Sequence, residues 1–281
     1  MTGPDTAPAP DPDPCTAWWG EHDLEPGHGI QLSLGTLELV VYRADKEWRL
    51  AQWQIGADDP NPQRCRLREI NSLPQEHDNL ERFAAGSSSG SLSLRPRAAN
   101  RSVVARPRVP LHVLPGENAE IYVSAPIWIE VLAGRPLRTL RDLPIKRLSD
   151  TWFGAVTGEG EAAYSLGTQA RSMVEEVPIR SHRAVTPVVV ENRAEDLLLL
   201  DRMNLPVPYL SIYSSAESHL WTETVTLRHS ADSALAALDV RRGAPRVAQG
   251  AKRVGEPRRT PEKNLLVRAF GGLLHGIEGG G

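Results

Sequence analysis

Four side chains in one short stretch, Glu21, His22, Asp23 and His28, are of the types that hold zinc or iron through imidazole nitrogens and carboxylate oxygens. Their spacing matches no established metal site, so a solvated loop anchored by Trp18 and Trp19 is the reading adopted, with no resident metal or cofactor expected. Gly154, Gly158 and Gly160 have the punctuation of a phosphate-cradling loop. No Lys-Ser/Thr pair follows them and no helical pattern opens behind them, both of which that mechanism needs. The sequence holds no HExxH and no SxxK. His112, His219 and His229 fall on expected strands or their ends, where only folding would bring them to Asp150, Asp201 or Ser230. Trp48, Trp53 and Trp128 have the faces on which a sugar or base stacks, although tryptophan more often supplies core bulk. No catalytic residue can be named from these patterns.

The elements that would position such residues centre on Leu148 to Thr168, LSDTWFGAVTGEGEAAYSLGT. Trp152 and Phe153 are adjacent and so point to opposite faces of a strand, which suits a segment covered on both sides. Thr157 to Gly160 reads as a turn and Ala163 to Gly167 as the returning strand of a hairpin. Trp128, Trp152, Phe153 and Tyr164 are the expected core aromatics. On that basis Trp152→Ala should cost roughly 3 to 5 kcal/mol. The motif LSDTWFG, with its Gly-rich turn, its Tyr-Ser-Leu strand and the preceding VVARPRVPLHVLPGENAEIYVSAPIWIEV, resembles a family of uncharacterised archaeal and bacterial proteins of about this length. The likeness covers roughly residues 100 to 215. It implies a shared β fold and carries no activity with it.

Apolar, β-branched runs broken by Pro, Gly and Asn predict an all-β protein, an antiparallel β-sandwich, across residues 18–240. Residues 1–17, rich in Pro, Asp, Ala and Thr, read as a disordered lead. Residues 57–100 lose the alternation and read as a mobile insertion between strands. Pro126 interrupts an apolar run and should sit at a strand edge, start or bulge. The segments near 101–168 and 184–240 echo each other weakly, as two pseudo-repeated halves would. The longest apolar runs fall far short of a spanning helix. The acidic, proline-rich start lacks the pattern of a secretory signal, so the cytoplasm is the expected compartment. Cys15 and Cys65 have no CxxC partner and read as unpaired thiols.

Charge divides unevenly. Residues 241–263 carry eight cations against Glu256 and Glu262, which leaves the first 240 residues at −9 within a chain of net −3. That stretch reads as a flexible basic linker. Beyond it Thr260 is a fair N-cap and Pro261 suits the first helical position, opening an amphipathic helix over 264–277 with Leu266, Phe270, Leu273 and Leu274 on its apolar face. This helix is the expected interaction element, docking on a protein partner or back on its own body. An anionic membrane surface is a further candidate, while nucleic acid is disfavoured because aromatics do not interleave with the cations. The leading function class is a non-catalytic β-scaffold that binds through its surface and tail. The alternatives are a hydrolase or metal enzyme whose site assembles only in three dimensions, and a carbohydrate or small-ligand binder using exposed tryptophan.

Overall fold

The structure is a computed structural model that describes residues 17–55, 64–73, 79–85, 90–154, 160–230, 234–262 and 265–270. Its strands are β1 (Gly20–Asp23), β2 (Gly29–Leu34), β3 (Leu37–Arg43), β4 (Glu47–Gln54), β5 (Cys65–Ile70), β6 (Glu81–Ala84), β7 (Ser91–Arg97) and β8 (Val103–Pro107). The middle of the chain adds β9 (Leu111–Val113), β10 (Asn118–Pro126), β11 (Trp128–Ala133), β12 (Arg138–Pro144), β13 (Ser149–Gly154), β14 (Gly160–Ala170) and β15 (Arg183–Asn192). The last third supplies β16 (Leu198–Leu200), β17 (Met203–Leu205), β18 (Ile212–Ser214), β19 (Leu220–Trp221), β20 (Thr224–His229), β21 (Leu235–Arg241), β22 (Lys252–Gly255) and β23 (Leu266–Arg268). Helical structure among the described residues is confined to single 3-10 turns such as Val207–Tyr209. The expectation of an all-β chain with antiparallel sheets therefore holds, with parallel pairs added where β15 meets β19 and β20 and where β14 meets β8, and no described helix is long and apolar enough to cross a membrane.

Alternation explains the first sheet, ordered β5-β2-β3-β4-β6. Ile30, Leu32 and Leu34 of β2, Leu37, Leu39 and Val41 of β3, and Trp48 and Leu50 of β4 all face the core and are buried. Glu38, on the other face of β3, is also buried but satisfied: its carboxylate accepts from Ser33 Oγ at 2.7 Å, Gln31 Nε2 at 3.2 Å and Arg64 at 3.2 Å. A second sheet is ordered β1-β7-β11-β12, a third β13-β14-β8-β17, and β9 pairs with β16 alone.

The largest sheet turns on β15. One edge of β15 pairs antiparallel with β10 from Asn118↔Glu191 to Pro126↔Arg183, and the other runs parallel to β19 and β20. A strand enclosed in this way reads as an unbroken apolar run, and Ala184, Val185, Val188 and Val190 are accordingly buried. Pro126 closes β10, a strand end that tolerates its missing N–H. The hairpin expected around the central motif is present as β13 against β14, in register from Ser149↔Ser165 to Gly154↔Gly160. The two echoing segments lie against each other through β10–β15 and β9–β16, with strand lengths that do not correspond in order. Asn192 ties this junction together. Its amide donates to the carbonyls of Val113 at 2.9 Å and Asp196 at 2.7 Å, and its Oδ1 accepts from Ala194 N at 3.1 Å.

Several sequence expectations need correction. Residues 57–100 are not one loose insertion, because they carry β5, β6 and β7, and β7 lies inside its sheet between β1 and β11. Their Gly/Ser run at 86–89 lies outside the described residues. The lead at 1–16 does too. Cys65 is disulfide-bonded, in place of the expected free thiol.

The described part of the basic stretch, 241–262, is built into the fold. Within it β22 pairs with β18, and a 3-10 turn at Arg246–Ala248 brings Ala248 into an apolar cluster with Tyr122, Val177, Val185 and Trp221. Leu266–Arg268 is a strand against β21, not the start of a helix, and Phe270 makes a β-bridge with Met203. The backbone dictates this: Leu238 N–H donates to Leu265 O at 2.9 Å and Asn204 N–H to Ala269 O at 2.8 Å, and such bonds hold an extended chain. The rest of the expected helix, with Leu273 and Leu274, lies outside the described residues.

Candidate functional site

The chemistry-bearing side chains gather where β11, β14, the Ala98–Ser102 corner and the stretch after β12 meet. Ile129 of β11 is buried in the main core, so alternation turns Trp128 to the opposite face. Ala163 of β14 packs with Phe153 and Val104 in a small separate cluster, which turns Tyr164 to the other face, where it is half-buried against the rim of the main core. The Trp128 and Tyr164 rings are 6.4 Å apart at 37°. Each is held by a cation. The Arg258 guanidinium lies 5.0 Å from the Trp128 centroid and that of Arg101 lies 5.5 Å from Tyr164.

Further bonds fix those holders. Arg258 Nε donates to Ala98 O at 2.7 Å, Nη2 donates to Asp142 at 2.9 Å, and Nη1 donates to the second Asp142 oxygen, a two-pronged contact that sets the guanidinium plane. Arg101 pairs with Asp150 at 3.0 Å, and the Tyr164 hydroxyl donates to Asn100 Oδ1 at 2.9 Å. Gly255, just before this region, comes so close to Pro96 that a Cβ there would sit 1.9 Å from its carbonyl oxygen, so glycine is what the crossing permits.

A cleft of about 410 Å³ opens on this wall, lined by Arg101, Trp128, Lys146, Arg147, Asp150 and Tyr164 among others. A neighbouring cleft of about 480 Å³ shares Arg101 and is lined also by Glu161, Arg259 and Arg268. The acids here are engaged, Asp150 by Arg101 and Glu161 by the Asn204 amide. Lys146, Arg147 and Arg259 have no carboxylate partner among the described residues.

Positive charge also extends inward from Lys146. His182 is buried beside Arg183, Arg180 and Lys146, and burial first, then those three cations, push its pKa down from 6.5 to about 4. Arg183 is itself buried. Its Nε donates to Ser124 Oγ at 2.9 Å and its Nη2 to Thr168 Oγ1 at 2.7 Å, hydroxyl partners that carry no counter-charge. Burial, aided by Arg180, lowers its pKa to about 10.

Of the expected core aromatics, the structure brings Trp128 and Tyr164 together, both half-buried, and places Phe153 fully inside beneath Arg202, 5.3 Å from its ring. Trp152 is not core, with 49% of its surface exposed. Its indole lies over Gly160, where a Cβ would approach Nε1 to 2.3 Å, so the ring covers backbone while remaining half exposed. Trp152→Ala should therefore cost about 1 kcal/mol, well short of the 3 to 5 kcal/mol of a core tryptophan. Urea unfolding of the variant checks this, and a loss above about 3 kcal/mol would return Trp152 to the core.

In the tail, Leu266 is 60% exposed while Phe270 is buried, edge-on to the His229 ring at 5.4 Å. His112, His219 and His229 stay apart, on β9, before β19 and at the end of β20. Glu21, His22 and Asp23 line a cleft with Arg135, and no cluster of three or more potential metal ligands exists among the described residues. What sequence reasoning missed is Arg258, Asp142 and the Lys146-Arg147 pair. A clue was available at Gly255 and Pro257, two rigidly placed residues inside a run otherwise read as loose.

Fold and site together define an all-β protein with a cation-rimmed, aromatic-walled surface cleft. The chain belongs to the family described as Protein of unknown function (DUF432), whose model matches residues 18–275. That span begins at the buried Trp18 and runs through the C-terminal strands, so the family's shared unit includes the segment 241–263. No match was found among curated proteins or solved structures.

Proposed function

We propose that this protein is a non-catalytic β-scaffold that acts by binding, and that its binding face is the pair of clefts flanking Arg101. The observation that carries the reading is the convergence of Lys146, Arg147 and Arg259, each lacking an acidic partner among the described residues, on clefts that share one arginine. An unneutralised cluster of this kind focuses positive potential and selects anions. This holds although the whole chain is net −3, because attraction at short range follows local charge.

Thermal unfolding in chloride, phosphate, sulfate and citrate at matched ionic strength tests the proposal. A ligand that binds only the folded state raises its stability by mass action, so at least one multivalent anion should raise the melting temperature of the native protein. It should raise that of the Lys146→Ala, Arg147→Ala, Arg259→Ala triple variant less. Salting-out by sulfate and phosphate acts on both proteins alike and cancels in the comparison. Equal stabilisation of the two would defeat the proposal.

We place the protein in the cytoplasm as part of this reading. The Cys65 disulfide is uncommon in a glutathione-buffered compartment, so rapid alkylation of lysed cells tests the placement, and recovery of Cys65 as a thiol would support it. A Cys65 disulfide persisting under those conditions moves the protein to an oxidising compartment.

A further inference from the structure

The cleft beside Trp128 combines two features that ordinary solvated basic patches lack. Its aromatic wall is held in place, since Arg258 braces Trp128 and is itself fixed to Asp142 and Ala98, while Tyr164 is fixed through Asn100. A wall ordered before binding loses little entropy when a ring settles on it. Its free cations are also delivered from a rigid stem. Ile145 is buried, its N–H donates to Ile127 O at 3.2 Å, and its carbonyl accepts from Thr36 Oγ1 at 3.2 Å. Lys146 and Arg147 follow that anchored residue directly and are exposed.

The charges suit one kind of anion. Lysine offers a mobile point charge and arginine a planar fork, a pairing that serves the several oxygens of a phosphate. The third lining arginine, Arg101, is engaged by Asp150 and lies over Tyr164, so it shapes the wall more than it binds. A volume of about 410 Å³ lies in the range of small-ligand sites.

From this geometry we infer that the cleft binds a phosphate monoester attached to a ring, with the ring against Trp128 and Tyr164 and the phosphate on Lys146 and Arg147. The inference rests on the reading of this face as a binding surface and adds the ligand class. A nucleotide and a sugar phosphate share this chemistry. Aromatic faces accept the π-face of a base, and apolar sugar C–H groups can lie on the same rings.

Titration of the full chain, followed by tryptophan fluorescence and calorimetry, tests it with adenosine monophosphate, a glucose phosphate, adenosine, glucose and inorganic phosphate. At least one ring-bearing phosphate should bind about tenfold or more tightly than both inorganic phosphate and its own uncharged counterpart. Which of the two phosphates leads decides between base and sugar. The exposed double substitution Lys146→Ala, Arg147→Ala should weaken binding about tenfold or more at unchanged melting temperature. Tyr164→Leu should weaken the ring phosphate and leave inorganic phosphate as before. Uncharged compounds binding as well as their phosphates would overturn the inference, as would a double variant that binds unchanged. If multivalent anions stabilise the protein but no ring phosphate exceeds inorganic phosphate, this inference fails and the binding-face reading stands. If no anion stabilises the protein, both fall.

Discussion

Arg258→Ala is expected to lower the unfolding free energy by about 3 kcal/mol, the range for removing one partner of a largely buried, hydrogen-bonded charge pair. The side chain is 12% exposed and that of Asp142 25%. Truncation leaves the Asp142 carboxylate and the Ala98 carbonyl without their donor and strips the cation from the Trp128 face. Arg258→Lys should recover only part of the loss, because an ammonium cannot span both carboxylate oxygens. In the Arg258→Ala background, Asp142→Asn should add little, since the two share one interaction. Urea unfolding monitored by tryptophan fluorescence gives all of these values. A loss below about 1 kcal/mol for Arg258→Ala would show that the segment after β22 only rests on the body.

The second large effect is on acid stability. His182 titrates at about 4 in the folded protein and near 6.5 when unfolded, so between those values the unfolded chain holds more protons. Folding is then favoured fully above pH 6.5, and this contribution is lost as pH falls towards 4, below which it stays flat. The size is about 3 kcal/mol from a pKa depression of this extent. His22, whose pKa burial also lowers, acts in the same direction. Unfolding free energies measured at intervals across the window should fall steeply in the native protein and less in His182→Asn. Parallel curves for the two proteins would remove His182 as the cause.

The sequence shows strands where alternation is local. In β2 to β4 apolar positions recur every second residue, and the side chains on that face are buried. It shows less where the deciding partner is remote. Arg258 looked like one member of a charge run because its acid lies 116 residues away. Trp152 and Phe153 were correctly placed on opposite faces, but alternation cannot say which face another layer will cover. Leu266 and Phe270 are four apart, a spacing that shares a face in a helix and equally in a strand, so the tail's backbone bonds decided what periodicity left open. Phe270 did prove apolar and inward, packed on a histidine that no local pattern singles out.

The sheet around β15 has β22 at one end of its path and β23 at the other, and these two strands follow every other described strand in the chain. A protein is made from its N-terminus, so while residues 252–268 are still within the ribosome both outer edges of that sheet stand open. Open edges are templates for pairing with other chains. The nascent protein thus passes through a stage, ending only when β22 and β23 emerge, at which chaperones or rapid synthesis must keep it from joining its neighbours on the same polysome.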